Sequence, residues 1–272
     1  MTSSDRPTVG IALSGGAARG MAHVGVLRAL VENDIPIDYV AGTSAGSLVG
    51  GAFAAGIPLD QIAELGRKMR WRDVGRMTVS RMGVQTNDRL EQYLHDRLPV
   101  TRFEDLPLPF AAVATDLKSG AAVIFRGHGD VPFAIRASCA IPGWYVPVMD
   151  EQGRQLVDGG LVAVIPAAVA RSFGADIVIA VDVNAEGAKF IGSTSSVIGV
   201  VLQSMLVVQK TASHHQLSLC DYVIKPKVGH IRWDEMGRGE ELMVAGYEAG
   251  LEAAPEIRAL IDFSKNPQAL TV

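Results

Sequence analysis

The sequence predicts an α/β protein with a central parallel sheet and helices on both faces, and three observations carry that prediction. Val9-Gly10-Ile11-Ala12-Leu13 is an unbroken apolar run, the pattern of a strand buried on both faces. A helix-period set (Val24, Leu27, Leu30, Val31), a short extended run (Asp38–Ala41) and a second helix from Ala45 follow, giving a β-α-β-α opening. Third, 29 of the 272 residues are glycine. That is about 11% against a usual ~7%, which points to close backbone approaches rather than disorder.

Each element has a local cause. The first helix runs from about Met21 to Val31 and breaks at Asn33-Asp34; Pro36 then enforces extension into the second strand. The helix from Ala45 stops near Gly56-Ile57-Pro58. Helices near Leu59–Met69 and Asp88–Leu98 flank an irregular basic segment. Strands are expected at Phe110–Ala114 and Ala121–Phe125, around the turn Lys118-Ser119-Gly120. A further pair, Trp144–Val148 and Gln155–Val157, flanks the turn Asp150–Gly153. Ile177–Val183 is the last strongly buried strand, and Glu240–Ile261 closes the chain as a helix. With no fixed-period repeat or low-complexity linker, residues 8–262 read as one domain, with tails at 1–7 and 263–272.

Composition excludes several classes of function. A net charge of −4 argues against a nucleic-acid partner. Cys139 and Cys220 make neither a disulfide framework nor a metal knuckle, and no histidine spacing suits a metal, so no metal and no cofactor is expected. The stretch between Asp38 and Asp60 carries no charge and contains Gly46-x-x-x-Gly50, but it is too rich in Gly, Ala, Ser and Thr to span a bilayer. Val197–Val208 is too short and is broken by Gln203 and Ser204. The N-terminus Met1–Pro7 lacks the basic start of a secretory signal. The expectation is a soluble, cytoplasmic protein.

Three motifs bear chemistry. Gly42-Thr43-Ser44-Ala45-Gly46 is G-x-S-x-G at a strand-to-helix turn. Such a turn exposes a serine hydroxyl at the sheet edge, while Gly42 and Gly46 let backbone pass closely and the helix start favours a developing oxyanion. Directly after the first strand, Ser14-Gly15-Gly16-Ala17-Ala18-Arg19-Gly20 can turn successive N–H groups inward as an anion site. A dinucleotide fingerprint is the rival explanation. It needs an acidic residue at the end of the second strand, where Gly42-Thr43-Ser44 stands, and Ala17 occupies the place of its central glycine. Asp158-Gly159-Gly160 places a carboxylate at the carboxyl end of a short strand, although D-G alone is an ordinary turn signal.

In this order the motifs resemble the patatin-like phospholipases, in particular their compact bacterial members. Further matches are Ala114-Thr115-Asp116-Leu117, Arg136-Ala137-Ser138 with Ile141-Pro142, and Pro147 ahead of Asp158. The resemblance implies a three-layer α/β/α fold with a mostly parallel sheet and a Ser-Asp dyad that hydrolyses acyl esters of lipids. It implies Ser44 as nucleophile, Asp158 as general base, and oxyanion-hole amides at Gly15, Gly16 and Ala17. Arg19, Gly20, Gly42, Gly46, Gly159 and Gly160 support the motifs. The family usually has glycine where Ala17 stands, so a positive φ there would be strained. A weakly active or inactive regulatory or adaptor protein on the same fold is the alternative function.

A Ser-His-Asp triad, with His214, His215 or His230 as base, would need more strands before the nucleophile than this chain has. His23 reads as a packing or hydrogen-bonding residue. Arg19 either supports the loop, meets an anionic head group or makes a surface ion pair. Finally, Gly66–Gln85 carries a net charge of +5, leaving −9 elsewhere. Met69, Trp71, Val74, Met77, Val79 and Met82 interleave with its cations. Arg67–Arg81 therefore reads either as a flap that touches an anionic membrane surface and shapes the acyl pocket, or as a solvated segment whose apolar residues pack on the core. The expected partner is a lipid or fatty-acyl ester substrate; oligomeric state is open.

Overall fold

The computed structural model describes residues 6–186 and 197–265. Its strands are β1 (Val9–Leu13), β2 (Tyr39–Thr43), β3 (Arg76–Met77), β4 (Gly83–Thr86), β5 (Phe110–Asp116), β6 (Ala122–Arg126), β7 (Gly143–Tyr145), β8 (Val148–Met149), β9 (Gln155–Asp158), β10 (Ile177–Val181) and β11 (Tyr222–Ile224). Its helices are α1 (Met21–Glu32), α2 (Ala45–Ala54), α3 (Leu59–Lys68), α4 (Trp71–Val74), α5 (Asp88–His95), α6 (Val131–Ser138), α7 (Gly160–Ala163), α8 (Ala167–Arg171), α9 (Val197–Leu217) and α10 (Gly239–Lys265).

The main sheet has the order β11-β10-β1-β2-β5-β9-β8, with β6 also on β5. From β11 to β5 the pairing is parallel, whereas β6, β9 and β8 run antiparallel to their neighbours. Alternate residues of the apolar runs face opposite layers. Val9, Ile11 and Leu13 join the larger core beneath α1, α2, α3, α5, α6 and α10. Ala12, Ala41, Ala111 and Ala180 face α8, where their small side chains leave room for close packing. The result is the expected three-layer α/β/α arrangement, and the charge-free stretch after Asp38 is β2 and α2 at its centre.

Two strands of this sheet meet end to end. β6 occupies one edge of β5 along Ala111–Thr115. The other edge is shared: β2 covers it up to the pair Thr43–Val113, and β9 takes over from the pair Asp158–Ala114. Because β2 is parallel and β9 antiparallel to β5, their carboxyl ends converge on adjacent residues of one strand.

The segment expected as a single strand, Trp144–Val148, is two. β7 belongs to a second sheet of order β3-β4-β7, while β8 pairs with β9. Pro147, which has no N–H to donate, stands between them. The irregular basic segment contains α4 and the β3-β4 hairpin, and a less buried strand, β11, follows the last strongly buried one. At the ends, residues 1–5 and 266–272 lie outside those described; Arg6 pairs with Asp38, and α10 runs past Ile261 to Lys265. Among the described residues no helix is long and apolar enough to cross a membrane.

Candidate active site

Ser44 follows β2 and starts α2 in a strained conformation, φ 52° and ψ −122°. Such a backbone costs about 1–3 kcal/mol and persists only where its surroundings hold it. Here the Ser138 hydroxyl accepts the Ser44 N–H at 2.8 Å and donates to the Val113 carbonyl at 2.6 Å. Gly42 and Gly46 are small because backbone lies against them: an added Cβ would meet the Gly46 carbonyl at 2.4 Å and the Leu13 carbonyl at 2.2 Å, respectively. Gly20 leaves room for Ala45, whose Cβ would be 2.5 Å from a side chain there. Ser138 belongs to the Arg136-Ala137-Ser138 match, but its role as a clamp depends on α6 lying over β5, which no local spacing reveals.

Asp158 ends β9 with its carboxyl group buried and near enough to the Ser44 side chain for that hydroxyl to favour the ionised form. Its Oδ1 accepts the Gly160 N–H at 2.8 Å. Burial pushes its pKa up to about 6, against the lowering effect of the Ser44 hydroxyl and the Gly160 N–H. Gly159 is required by the strand junction, since a Cβ there would lie 2.1 Å from the Val113 carbonyl. At Gly160 the space is closed by the Gln209 side chain at 2.6 Å. The Cys139 thiol also contacts Ser44 and Ser47; burial and the Asp158 charge keep it protonated by raising its pKa to about 12.

The glycine loop lies beside Ser44 because β1 and β2 are parallel neighbours. Of the three amides expected to line an oxyanion hole, that of Gly15 is engaged: it donates to the Val164 carbonyl at 2.9 Å. The expectation is therefore corrected for Gly15. The N–H groups of Gly16 and Ala17 have no partner among the described residues, whereas Ala18 donates to the Trp233 carbonyl at 2.7 Å. Ala17 has φ 47°, so this alanine does adopt the left-handed backbone usually given to glycine. Gly16 is extended, and a Cβ on it would strike Val183 at 2.3 Å.

Arg19 is fully buried and supports the loop: its guanidinium donates to the carbonyls of Ile231 at 2.7 Å and Gly229 at 3.3 Å. Its side chain is fully buried, and the Glu186 carboxylate acts on its charge. Asn184, which no motif had marked, ties the same loop from the other side through the Gly15 carbonyl at 2.7 Å. Asp38 sits at the far end of β2 from Ser44, holding Arg6 and the Val9 N–H, so no acidic residue serves a dinucleotide ribose. His23 is buried, bonds the Ser14 carbonyl at 2.8 Å and is kept neutral by desolvation, with a pKa near 4. His230 pairs with Glu241 and His95 with Asp130. Glu91, His95 and Asp130 bring ligand-type atoms within 4.8 Å of one another, but Glu91 is bound to Arg136 and Asp130 caps α6.

Ser44 stands between two cavities. One is an apolar pocket lined by Leu48, Val49, Ile62, Leu65, Met69 and Leu94, with Tyr93 and Arg97 also in its wall. The other contains Asp158 and Gly160 and is covered by Leu202, Met205 and Leu206 of α9 with Trp233. The basic segment divides between its two expected behaviours. Met69, Trp71 and Val74 line the apolar pocket, whereas Met77, Val79 and Met82 stand exposed around the β3-β4 hairpin.

The family model described as patatin-like phospholipase matches residues 11–171, which include Ser44 and Asp158. An uncharacterized NTE family protein of Mycobacterium tuberculosis is 40% identical over 184 residues, covering 66% of this chain and 50% of that protein. The lysophospholipase NTE1 of Mycosarcoma maydis is 36% identical over 185 residues, covering 65% of this chain and 10% of its own length. The chain thus spans about half or less of these relatives. The crystal structure of VipD from Legionella pneumophila has a similar fold, with a TM-score of 0.55 at 12% identity, over 94% of this chain and 67% of that one.

Proposed function

The chain belongs to the patatin-like phospholipase family, and from that premise we propose that it is a serine lipid acyl hydrolase working through a Ser44–Asp158 dyad. Residues 8–262 act as one domain in this reading. Asp158 takes the hydroxyl proton as Ser44 Oγ attacks the ester carbonyl, and the N–H groups of Gly16 and Ala17, with the start of α2, stabilise the tetrahedral oxyanion. Asp158 returns the proton to the departing alcohol, leaving an acyl-Ser44. Water, deprotonated by Asp158, then attacks the acyl carbon; fatty acid leaves and Ser44 regains its proton. A buried carboxylate with a pKa near 6 is a better base than an ordinary aspartate yet remains ionised at neutral pH. The acyl chain occupies the apolar pocket and the alcohol the α9-covered one.

The observation that carries this reading is the approach of Ser44, Asp158 and two amides that have no partner among the described residues, between those cavities. A fluorophosphonate probe should label Ser44, and Ser44→Ala should lose p-nitrophenyl ester hydrolysis by at least about a thousandfold. Undiminished hydrolysis by that variant would falsify the assignment. The exposed Met77, Val79 and Met82, set among Arg76 and Arg81, support peripheral contact with an anionic membrane surface from a cytoplasmic location. Co-sedimentation should favour anionic over neutral vesicles, and Arg76→Glu/Arg81→Glu should remove the preference; equal binding to both vesicle types rejects it.

A further inference from the structure

The face that α9 turns towards Asp158 is built at helical spacing. Leu202, Met205, Leu206 and Gln209 stand at i, i+3, i+4 and i+7, so they share one side of the helix, and all four line the cavity that holds Ser44 and Asp158. Gln216, about two turns further on, belongs to the same side and is buried there. An apolar stripe thus gives way to two glutamines.

The two are engaged differently. Gln216 commits both ends of its amide to the segment after Asp158: Oε1 accepts the Ile165 N–H at 2.8 Å, and Nε2 donates to the Val162 carbonyl at 3.0 Å. These bonds fix the helix over α7. The half-buried Gln209, by contrast, makes no side-chain hydrogen bond among the described residues. A Cβ placed on Gly160 would lie 2.6 Å from Gln209 Nε2 and 3.0 Å from Asp158 Oδ1, so amide and carboxylate flank the same glycine. Asn184, the other side-chain amide on this cavity, is held at both ends: Nδ2 donates to the Gly15 carbonyl at 2.7 Å, and Oδ1 accepts from Arg19 at 3.4 Å. A glutamine amide both donates and accepts, and leaving one unpaired in a partly closed site is unfavourable unless a small polar molecule satisfies it.

We propose that Gln209 is a positioning residue for deacylation, its amide holding the water that cleaves the acyl-Ser44. The inference rests on the hydrolase reading above and deepens it. With the acyl chain in the apolar pocket, water reaches the acyl carbon from the side the alcohol has left, where Gln209 and Asp158 hold it between them. One O–H bond of the water breaks as its proton passes to Asp158, and the oxygen bonds to the acyl carbon. The bond from that carbon to Ser44 Oγ then breaks, the proton moves from Asp158 to Oγ, and the fatty acid leaves. Acylation asks nothing of Gln209, because its nucleophile is part of the chain and is set by the turn at Ser44.

Gln209→Met tests this, since it keeps the length and bulk of the side chain against Gly160 and removes the amide. Rapid acid quench and mass spectrometry follow acyl-Ser44 as it forms from p-nitrophenyl butyrate and decays. The variant should acquire the acyl group at the wild-type rate and lose it about tenfold more slowly. Equal slowing of both steps marks a structural role, and decay as fast as in the wild type shows the amide to be idle; either result overturns the inference and leaves the dyad standing. Wild-type protein that never acquires the acyl group overturns the hydrolase reading, and this inference with it.

Discussion

The two sides of Ser44 are built from different material. On the acyl side, α2, α3 and α5 belong to the main hydrophobic core, and the pocket is a gap left inside well-packed helices. On the alcohol side, one long helix, α9, and the segment carrying Trp233 close over the site, and polar groups appear beyond the first apolar residues. Under the proposed function, the contrast teaches that the two halves of a substrate are read by different physics. An aliphatic wall discriminates by length and volume, at about 0.8 kcal/mol for each buried methylene, whereas a wall that also carries polar groups discriminates by hydrogen bonding.

The largest perturbation should strike both sides equally. Asp158→Asn removes the base, so kcat should fall by about 10³ or more for every substrate regardless of chain or head group. In the wild type, kcat/KM should rise through an acid limb near pH 6 as Asp158 ionises. The same raised pKa makes the sign of the stability change definite. Below the unfolded-state value the protonated carboxyl is buried without penalty; as pH rises through about 6 the folded state must bury a charge, and stability is lost. Asp158→Asn should therefore be more stable than wild type above pH 7, by about 1–3 kcal/mol, in thermal or urea unfolding. A less stable variant would show that the carboxylate is better solvated than its burial implies.

Next come the loop glycines. Gly16→Ala drives a Cβ into Val183 at 2.3 Å, displacing the amides beside Ser44, and should cost about 1–3 kcal/mol of stability with most of the activity. Gly15→Ala meets only ordinary contact, 3.5 Å from the Ser44 Cβ, and should be mild on both counts. Equal effects at the two positions would mean that the loop repacks freely. The smallest effect should be confined to the acyl side. Tyr93 and Arg97, whose guanidinium stacks 3.7 Å over the ring, line both the apolar pocket and a depression on the outer surface, so they form part of the wall between the two. Tyr93→Ala should shift the preferred acyl length of nitrophenyl esters upward by a few carbons and leave head-group preference unchanged. An unaltered chain-length profile would place the pocket's limit elsewhere.

Much of this was legible in the residues. The β1-α1-β2-α2 opening follows from continuous apolar runs, and Ser44 and the glycine loop follow from it because parallel neighbours set their turns side by side. Asp158 could be picked out only with the other motifs. Its place opposite Ser44 comes from two strands sharing one edge of β5, a non-local pairing that leaves no period in the sequence. α6 had local signals, an Asp130 cap on the Phe133 N–H and Pro132 in its first turn, that could have revealed it. The engagement of the Gly15 amide by Val164 had none, because that carbonyl lies far along the chain.

The head-on approach of β2 and β9 along β5 also has a consequence in time. Ser44 emerges early during synthesis, but Asp158 reaches it only once β9 has docked, after α1 to α6 have been made. A slip of β9 by one residue would turn the carboxylate to the opposite face. For the proposed hydrolase, a nascent or misregistered chain would therefore be inert, and the gain of activity would report that the last antiparallel strand has found its register.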